Sequence, residues 1–134
     1  MCLDTIEPIR VRNNYGWKVF KEYPIIGKKN TSYFQGLFYP IAKMVKNKLY
    51  KAPKSDTLIS TDYFGHMYVP GFHVFLRKQD AKEVCVDEIE SRSYDKGNGY
   101  KISLQKVMFN KKDIIVTGTQ DGYPVVVVKS IKIV

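Results

Sequence analysis

The sequence predicts a single α+β domain over residues 1–134, dominated by an antiparallel, strongly twisted sheet or partial barrel. Ile and Val together number 26, whereas Ala and Leu together number nine. Branching at Cβ favours strands, and Ala and Leu are the best apolar helix formers. Only one segment has apolar residues at helical spacing. A chain of 134 residues suits one hydrophobic core, since domains typically hold about 100–200 residues.

Four candidate strands lie between residues 15 and 76. They are short, rich in aromatic or β-branched residues, and bounded by Gly, Pro or Asn, which is the usual pattern of strands between turns. The stretch 55–67 is polar by contrast and is predicted to be largely loop. The candidate strands cover 15–20, 33–39, 49–50 and 72–76.

One helix is predicted near residues 79–92, where it covers part of the sheet. Ala81, Val84, Cys85 and Ile89 recur at helical spacing and form the predicted inward stripe. Asp80 is the expected N-cap. The turn-forming residues 95–99 should end the helix.

The last 35 residues predict a three-stranded meander, with strands at 100–109, 114–117 and 125–133. Asp121-Gly122 favours a tight hairpin because both residue types tolerate positive φ. Four consecutive valines at 125–128 indicate a central strand buried on both faces. Gly118 marks a bulge or a close approach of two backbones.

Composition excludes several classes of protein. No apolar run approaches the roughly 18 residues of a membrane span, and residues 1–8 contain two acids and no long apolar region. The chain is therefore expected to have no membrane partner. Its two cysteines form no CxxC pair, and we expect no metal and no cofactor.

The formal net charge of +9 is unevenly distributed. No acid occurs between Glu22 and Asp56, and this segment interleaves lysines with aromatic residues. The segment 80–90 holds five acids and one base, so the molecule should be electrically polarised. Lysines attract phosphates and aromatic rings stack on unpaired bases.

These features predict a non-enzymatic module that binds a nucleic acid backbone or a nucleotide. Lysine dominates over arginine, which argues against sequence-specific reading of duplex bases. Two alternatives remain: lysines that solubilise the protein and protect sheet edges, or an acidic protein partner. The predicted contact residues are Lys28, Lys29, Lys43, Lys46, Lys48, Tyr50 and Lys51.

A second hypothesis is a small enzyme acting on a nucleotide-like substrate. Asp62, His66 and His73 lie in or beside the glycine- and aromatic-rich segment 65–73 and are able to supply acid–base chemistry. An N-terminal Cys2, exposed by removal of Met1, is another candidate nucleophile. The simpler interpretations are a core histidine at 73 and a chance cysteine at position 2. The sequence has no phosphate-binding loop and no Gly-x-Ser-x-Gly or His-Glu-x-x-His motif.

The chain contains several short motifs in this order: Met1-Cys2-Leu3-Asp4, Gly16-Trp17-Lys18-Val19-Phe20, Pro70-Gly71-Phe72-His73-Val74-Phe75 followed by Asp80-Ala81, Gly118-x-Gln120, and Val126-Val127-Val128-Lys129 before the closing Ile133. Together they make the chain similar to small proteins of bacteriophages, prophages and gut-associated mobile elements. The resemblance implies a cytoplasmic accessory protein of a phage or its host. Proteins of that context often counter host defence by binding a nucleic acid, a signalling nucleotide or a defence protein, so an inhibitor of a host factor is a third hypothesis.

Overall fold

The computed structural model describes residues 3–29, 31–37, 43–52, 60–92 and 99–134. Cys2 and the end of the strand predicted at 33–39 lie outside these residues. Within them the chain forms the strands β1 (Thr5–Ile6), β2 (Tyr15–Pro24), β3 (Ser32–Gly36), β4 (Leu49–Lys51), β5 (Ser60–Thr61), β6 (Met67–Tyr68), β7 (Phe72–Phe75), β8 (Lys101–Met108), β9 (Ile114–Gln120), β10 (Tyr123–Val128) and β11 (Ser130–Ile133), and the helix α1 (Lys78–Ser91).

All the strand pairings are antiparallel, and most strands belong to one sheet. The order in this sheet is β1-β9-β10-β7-β2-β8-β11-β4, with β3 on the second half of β2. β5 and β6 form a separate hairpin. The predicted α+β class, with a mostly antiparallel sheet and one helix, is therefore confirmed.

The sheet curls because one stretch of chain contributes to both of its halves. β10 pairs with β7 and β9, whereas β11 pairs with β8 and β4, yet only Lys129 separates the two strands. A flat sheet would hold β10 and β11 several strands apart. The sheet must therefore fold back on itself into a partial barrel.

The two faces of the sheet carry two hydrophobic clusters. The inner cluster fills the curl with fully buried side chains that include Phe20, Val107 and Ile131. On the outer face, Ala81 and Val84 of α1 pack onto a second cluster of strand residues. Each fully buried aliphatic or aromatic side chain contributes roughly 1.5–3 kcal/mol relative to its exposed state, so both faces are needed.

The C-terminal strands differ from the predicted meander. β8 pairs with β2 and β11 and does not pair with β9. The predicted strand 125–133 bends at Lys129 and becomes two strands. The valine prediction is confirmed, since all four side chains of 125–128 are fully buried and β10 lies between β9 and β7.

The start of α1 also differs from the prediction. The N-cap position is Arg77, and it makes no side-chain capping bond. Asp80 lies inside the first turn, where its Oδ2 accepts a hydrogen bond of 2.7 Å from Nε of Arg77. A carboxylate here also interacts favourably with the helix dipole. The predicted inward stripe holds for Ala81, Val84 and Cys85 but is wrong for Ile89, which is about half exposed.

The turn between β9 and β10 has the predicted hairpin chemistry. Asp121 has a φ of 54° and Gly122 a φ of 83°. Two consecutive residues with positive φ define the turn whose twist matches that of paired strands.

Gly118 lies where two backbones approach each other, as one of the two sequence interpretations anticipated. A Cβ atom at this position would stand 2.0 Å from the carbonyl oxygen of Thr5 and 3.0 Å from the side chain of Leu3. Only glycine therefore lets β1 pair with β9 through Ile6 and Gly118.

We predict that Gly118→Ala lowers the free energy of unfolding by about 2–3 kcal/mol, because the clash is with backbone and cannot be relieved by a side-chain rotation. Gly27→Ala is the matched control. Gly27 has a φ of 86° and open space around it, so its cost should be only about 1 kcal/mol. Urea unfolding of both variants measures the difference, and equal losses would contradict the role of β1 packing.

Candidate functional site

The structure divides the predicted basic residues into two groups. Lys28 and Lys29 are exposed in the connection between β2 and β3. Lys43 lies beside β3, because Met44 pairs with Phe34 through two backbone hydrogen bonds of 2.7 and 2.8 Å. The remaining predicted contacts lie on or near β4, next to β11. That second set comprises Lys46, Lys48, Tyr50 and Lys51.

Three tyrosines form a stack beside the first group, which we call the tyrosine ladder: Tyr23, Tyr33 and Tyr100. Tyr23 and Tyr33 are direct cross-strand partners, and their rings are nearly parallel with centroids 4.9 Å apart. The ring of Tyr100 lies 5.5 Å from that of Tyr23. All three are half-buried. Burial, together with the two neighbouring phenols, raises the pKa of Tyr23, so this ring is uncharged at neutral pH.

Lysine side chains lie against the two ends of the ladder. Nζ of Lys43 is 5.0 Å from the ring centroid of Tyr33, and Nζ of Lys21 is 5.0 Å from that of Tyr100. Such cation–π contacts at exposed sites contribute roughly 0.5–1 kcal/mol. They hold the ammonium groups beside the aromatic surface while leaving them in solvent.

A groove of about 470 Å³ adjoins the ladder. Lys101 on its wall pairs with Glu22 at 3.1 Å, and Ser32 donates a longer bond of 3.3 Å to the same carboxylate oxygen. Of the three ladder tyrosines, only Tyr100 lines the groove. Glu22 and Ser32 alternate with the other two along β2 and β3, so they lie on the opposite face of the sheet. Its lining residues are Glu22, Pro24, Lys28, Thr31, Ser32, Gly99, Tyr100 and Lys101.

The second basic group has a structural explanation. Tyr50 packs against the inner cluster, and its hydroxyl accepts a bond of 2.8 Å from the backbone amide of Val45. Lys48 lies with Nζ 5.6 Å from the Tyr50 ring. Lysines on an edge strand such as β4 discourage pairing with other chains. This group therefore fits edge protection better than it fits a binding surface.

The candidate catalytic residues Asp62 and His66 meet in the β5–β6 hairpin. The buried Asp62 carboxylate accepts hydrogen bonds from the backbone amides of Ile6, Phe64 and His66, at 2.8–3.0 Å. It also contacts Nδ1 of His66 at 2.8 Å. Desolvation opposes ionisation of this carboxyl, but the four bonds outweigh it and lower its pKa to about 2. Asp62 is thus a fixed anion that organises backbone.

His73, the third candidate, has a different partner. Its Nδ1 lies 3.1 Å from Oε1 of Gln120. Burial, helped by the nearby Lys18 ammonium, lowers the pKa of His73 to about 4, so the ring is neutral at physiological pH. His73 therefore behaves as the core histidine of the simpler interpretation, whereas His66 is largely exposed.

Sequence reasoning missed Lys18, whose amine is half-buried. Its Nζ donates to the carbonyl oxygen of His73 at 3.0 Å. Within the described residues no carboxylate lies within ion-pairing distance of it. Desolvation lowers the pKa of Lys18 to about 8. The sequence does contain one sign of this burial. Lys18 lies two residues from Gly16 and from Phe20 in β2, so the three positions share one face of the strand.

Metal-ion ligands and membrane-spanning helices were both sought among the residues that the structure describes. There, no group of three or more His, Cys, Asp or Glu side chains is placed to hold a metal ion. No helix among these residues is long and apolar enough to cross a membrane.

The fold and this surface define a small α+β protein with a curled antiparallel sheet and a basic, tyrosine-bearing face. Residues 4–119 match the family described as Domain of unknown function (DUF5007), and the chain belongs to that family. No curated protein and no solved structure matches the chain.

We predict that the protein loses stability between about pH 6.5 and pH 4 because of His73. An unfolded chain protonates this ring near pH 6.5, whereas the folded protein keeps it neutral down to about pH 4. The unfolded state therefore binds more protons in this window, and the free energy of unfolding should fall by up to ~3 kcal/mol as the pH drops. Chemical unfolding at a series of pH values measures the slope, which His73→Gln should flatten. An unchanged slope in that variant would assign the effect to other groups.

We predict that Lys18→Met raises the free energy of unfolding at pH 7 by about 1–2 kcal/mol. Methionine keeps the length of the side chain but removes a poorly solvated charge that no carboxylate compensates. The wild-type protein should also gain stability between about pH 8 and 10.5, where the unfolded chain retains the proton longer, and the variant should lack this gain. Lys112→Met, at an exposed position, is the control. A loss of stability in Lys18→Met would show that the amine stabilises the fold.

Proposed function

We propose that the protein binds single-stranded nucleic acid through the tyrosine ladder and the lysines around it, without catalysing a reaction. The observation that carries this proposal is the stack of Tyr23 and Tyr33 at 4.9 Å with Lys43 over its outer ring. It combines a flat aromatic surface and a mobile cation, which are the two elements that single-stranded nucleic acids require.

On the rings of the ladder, stacking of a nucleic acid base is more favourable than the cation–π contact with a lysine. A base stacked on an aromatic side chain contributes roughly 1–3 kcal/mol, compared with roughly 0.5–1 kcal/mol for an exposed cation–π contact. An incoming base therefore displaces the ammonium group of Lys43 or Lys21 from the ring. The released lysine is then free to contact the adjoining phosphate.

The groove supplies further contacts for the backbone of the bound strand. Lys28 and Lys101 lie on its lining, next to Tyr100. Lys101 is already paired with Glu22, whereas Lys28 is exposed and makes no ion pair within the described residues. The Lys28 ammonium group is therefore the one available to a phosphate of a strand that passes Tyr100. Lysines act here as point charges, so the affinity should depend little on the nucleotide sequence of the bound strand.

The resemblance to phage and mobile-element proteins suggests the setting for this activity. We propose that the chain acts in the cytoplasm of a host cell as an accessory protein of the counter-defence type. A nucleotide signal, which also combines a base and phosphates, fits the same surface chemistry.

The enzyme hypothesis keeps one supporting observation, the contact between Asp62 and His66. Such a carboxylate orients an imidazole in acid–base catalysis. However, Asp62 also holds three backbone amides, and His73 is committed to Gln120. These contacts explain the residues without catalysis, so we propose binding as the function. The roles of Cys2, Asp62, His66 and His73 in catalysis stay predictions.

We predict that Lys28→Gln/Lys43→Gln weakens binding of a fluorescent thymidine oligomer of about 12 nucleotides and flattens its salt dependence. Each lysine that contacts a phosphate contributes about 0.7 to the slope of log affinity against log salt, so the slope should fall by about 1.4. Fluorescence anisotropy between about 50 and 200 mM salt measures this. Lys78→Gln/Lys112→Gln, with the same charge change at exposed positions elsewhere, should weaken binding less and leave more of the slope intact.

We also predict that Tyr33→Leu lowers the affinity for the same oligomer by roughly 5- to 150-fold, which corresponds to one lost stacking contact. Leucine retains an apolar contact with Tyr23 but offers no flat face. Circular dichroism checks that the fold is kept. The proposal fails if the wild-type protein shows no salt-dependent binding, or if it binds duplex as tightly as single strands.

A further inference from the structure

The β5–β6 hairpin exposes a cluster of large apolar side chains that neither core explains. Tyr63 is 81% exposed, Phe64 73%, Met67 70% and Val69 54%. Single apolar residues are common on protein surfaces, whereas a contiguous group usually marks an interaction site. We call Tyr63, Phe64, Met67 and Val69 the apolar knob.

The hairpin is held in a defined conformation. Asp62 fixes the backbone at the tip and just after it, through the amides of Phe64 and His66. Tyr68 anchors the base of the hairpin, since it is buried and its hydroxyl accepts a bond of 2.9 Å from the amide of Leu3. A rigid apolar projection loses little conformational entropy on binding, which is the property of an interface hot spot.

Carboxylates border the apolar knob on one side. The backbone amide of Tyr63 donates to the carbonyl oxygen of Asp4 at 3.0 Å, and the Asp4 carboxylate accepts from the amide of Asp121 at 2.7 Å. Asp4 raises the pKa of Tyr63, with a smaller contribution from Asp121. Burial raises the pKa of Asp121, and so does the neighbouring Asp4 carboxylate. We call Asp4 and Asp121, which the 2.7 Å hydrogen bond joins, the acidic rim.

The negative charge of the acidic rim favours some classes of binding partner for the apolar knob over others. A nucleic acid or an anionic lipid surface would be repelled by it, although the whole chain carries +9. A symmetric contact centred on the apolar knob would place the acidic rims of both copies in one interface, where their like charges repel each other. A protein that combines an apolar cleft with basic residues around it satisfies both the knob and the rim.

We propose that the apolar knob is a docking site for a partner protein whose apolar cleft is bordered by Lys or Arg. Phe64, at the tip, enters the cleft, and the acidic rim contacts the basic border. This site is separate from the tyrosine ladder and does not depend on nucleic acid binding.

The test uses photo-crosslinking in the cells that naturally contain the protein. A benzophenone amino acid replaces Phe64 in one full-length variant and Ile26 in the other. Ile26 is the matched control because it is apolar and 99% exposed but lies between β2 and β3, away from the hairpin in sequence. We expect a protein adduct at position 64 that is absent at position 26. That partner, once identified and purified, should bind the wild-type chain in a salt-sensitive manner.

Phe64→Ser/Met67→Ser should then weaken the measured affinity at least tenfold, and Asp121→Asn should weaken it less, whereas Ile26→Ser should leave it unchanged. Both apolar positions are exposed, so thermal unfolding should confirm that the variants fold. The proposal is overturned by an adduct that contains only a second copy of this chain, by adducts with lipid or nucleic acid, or by no specific adduct. An affinity that the double variant does not change also overturns it.

Discussion

The structure depends on the continuous stretch of chain formed by β10 and β11. Its first half is buried on both faces and its second half closes the curl of the sheet. The bend at Lys129 is fixed by Asp113, whose carbonyl oxygen accepts from the Lys129 amide at 3.0 Å and whose carboxylate accepts from the Ser130 hydroxyl at 2.8 Å. Without this bend the inner cluster would have no closed wall, and the strands that carry the surface sites would not be aligned.

The tyrosine ladder lies on the same face of β2 as the residues that α1 covers. The helix covers the apolar part of the outer sheet face, where Val19 of β2 contributes to the cluster beneath it. Farther along the same face of β2 come Lys21 and Tyr23, so the strand changes from apolar to basic and aromatic. The helix ends at Ser91, and the ladder lies half-buried rather than covered. A basic, aromatic surface is thus the continuation of the core.

Features set by neighbouring residues were predictable from the sequence, and features set by distant ones were not. The Asp121-Gly122 turn and the inward positions of α1 result from local conformational preference and periodicity. The pairing of β8 with β2 joins segments about 85 residues apart, and alternation along one strand does not identify its neighbour. For the same reason the tyrosine ladder could not be predicted from the sequence. Tyr23, Tyr33 and Tyr100 come into contact only through the register between neighbouring strands. The sequence identifies Asp62 as a titratable group. Its role as an acceptor of backbone hydrogen bonds is visible only in the structure, where the amide of the distant Ile6 donates to it.

The pairing of β4 with β11 has a consequence for the order in which the molecule folds. The backbone groups of residues 49–51 can form their strand hydrogen bonds only when residues 130–132 are in place. In the same way, Thr5 pairs only when Thr119 is in place. Topologies dominated by such distant contacts fold slowly, in milliseconds to seconds, because loop closure precedes the gain in contacts. During synthesis at about 5–20 residues per second, the early strands would spend several seconds without their final neighbours. The aromatic strands β2 and β3, which pair with each other across a short connection, are the part able to assemble first.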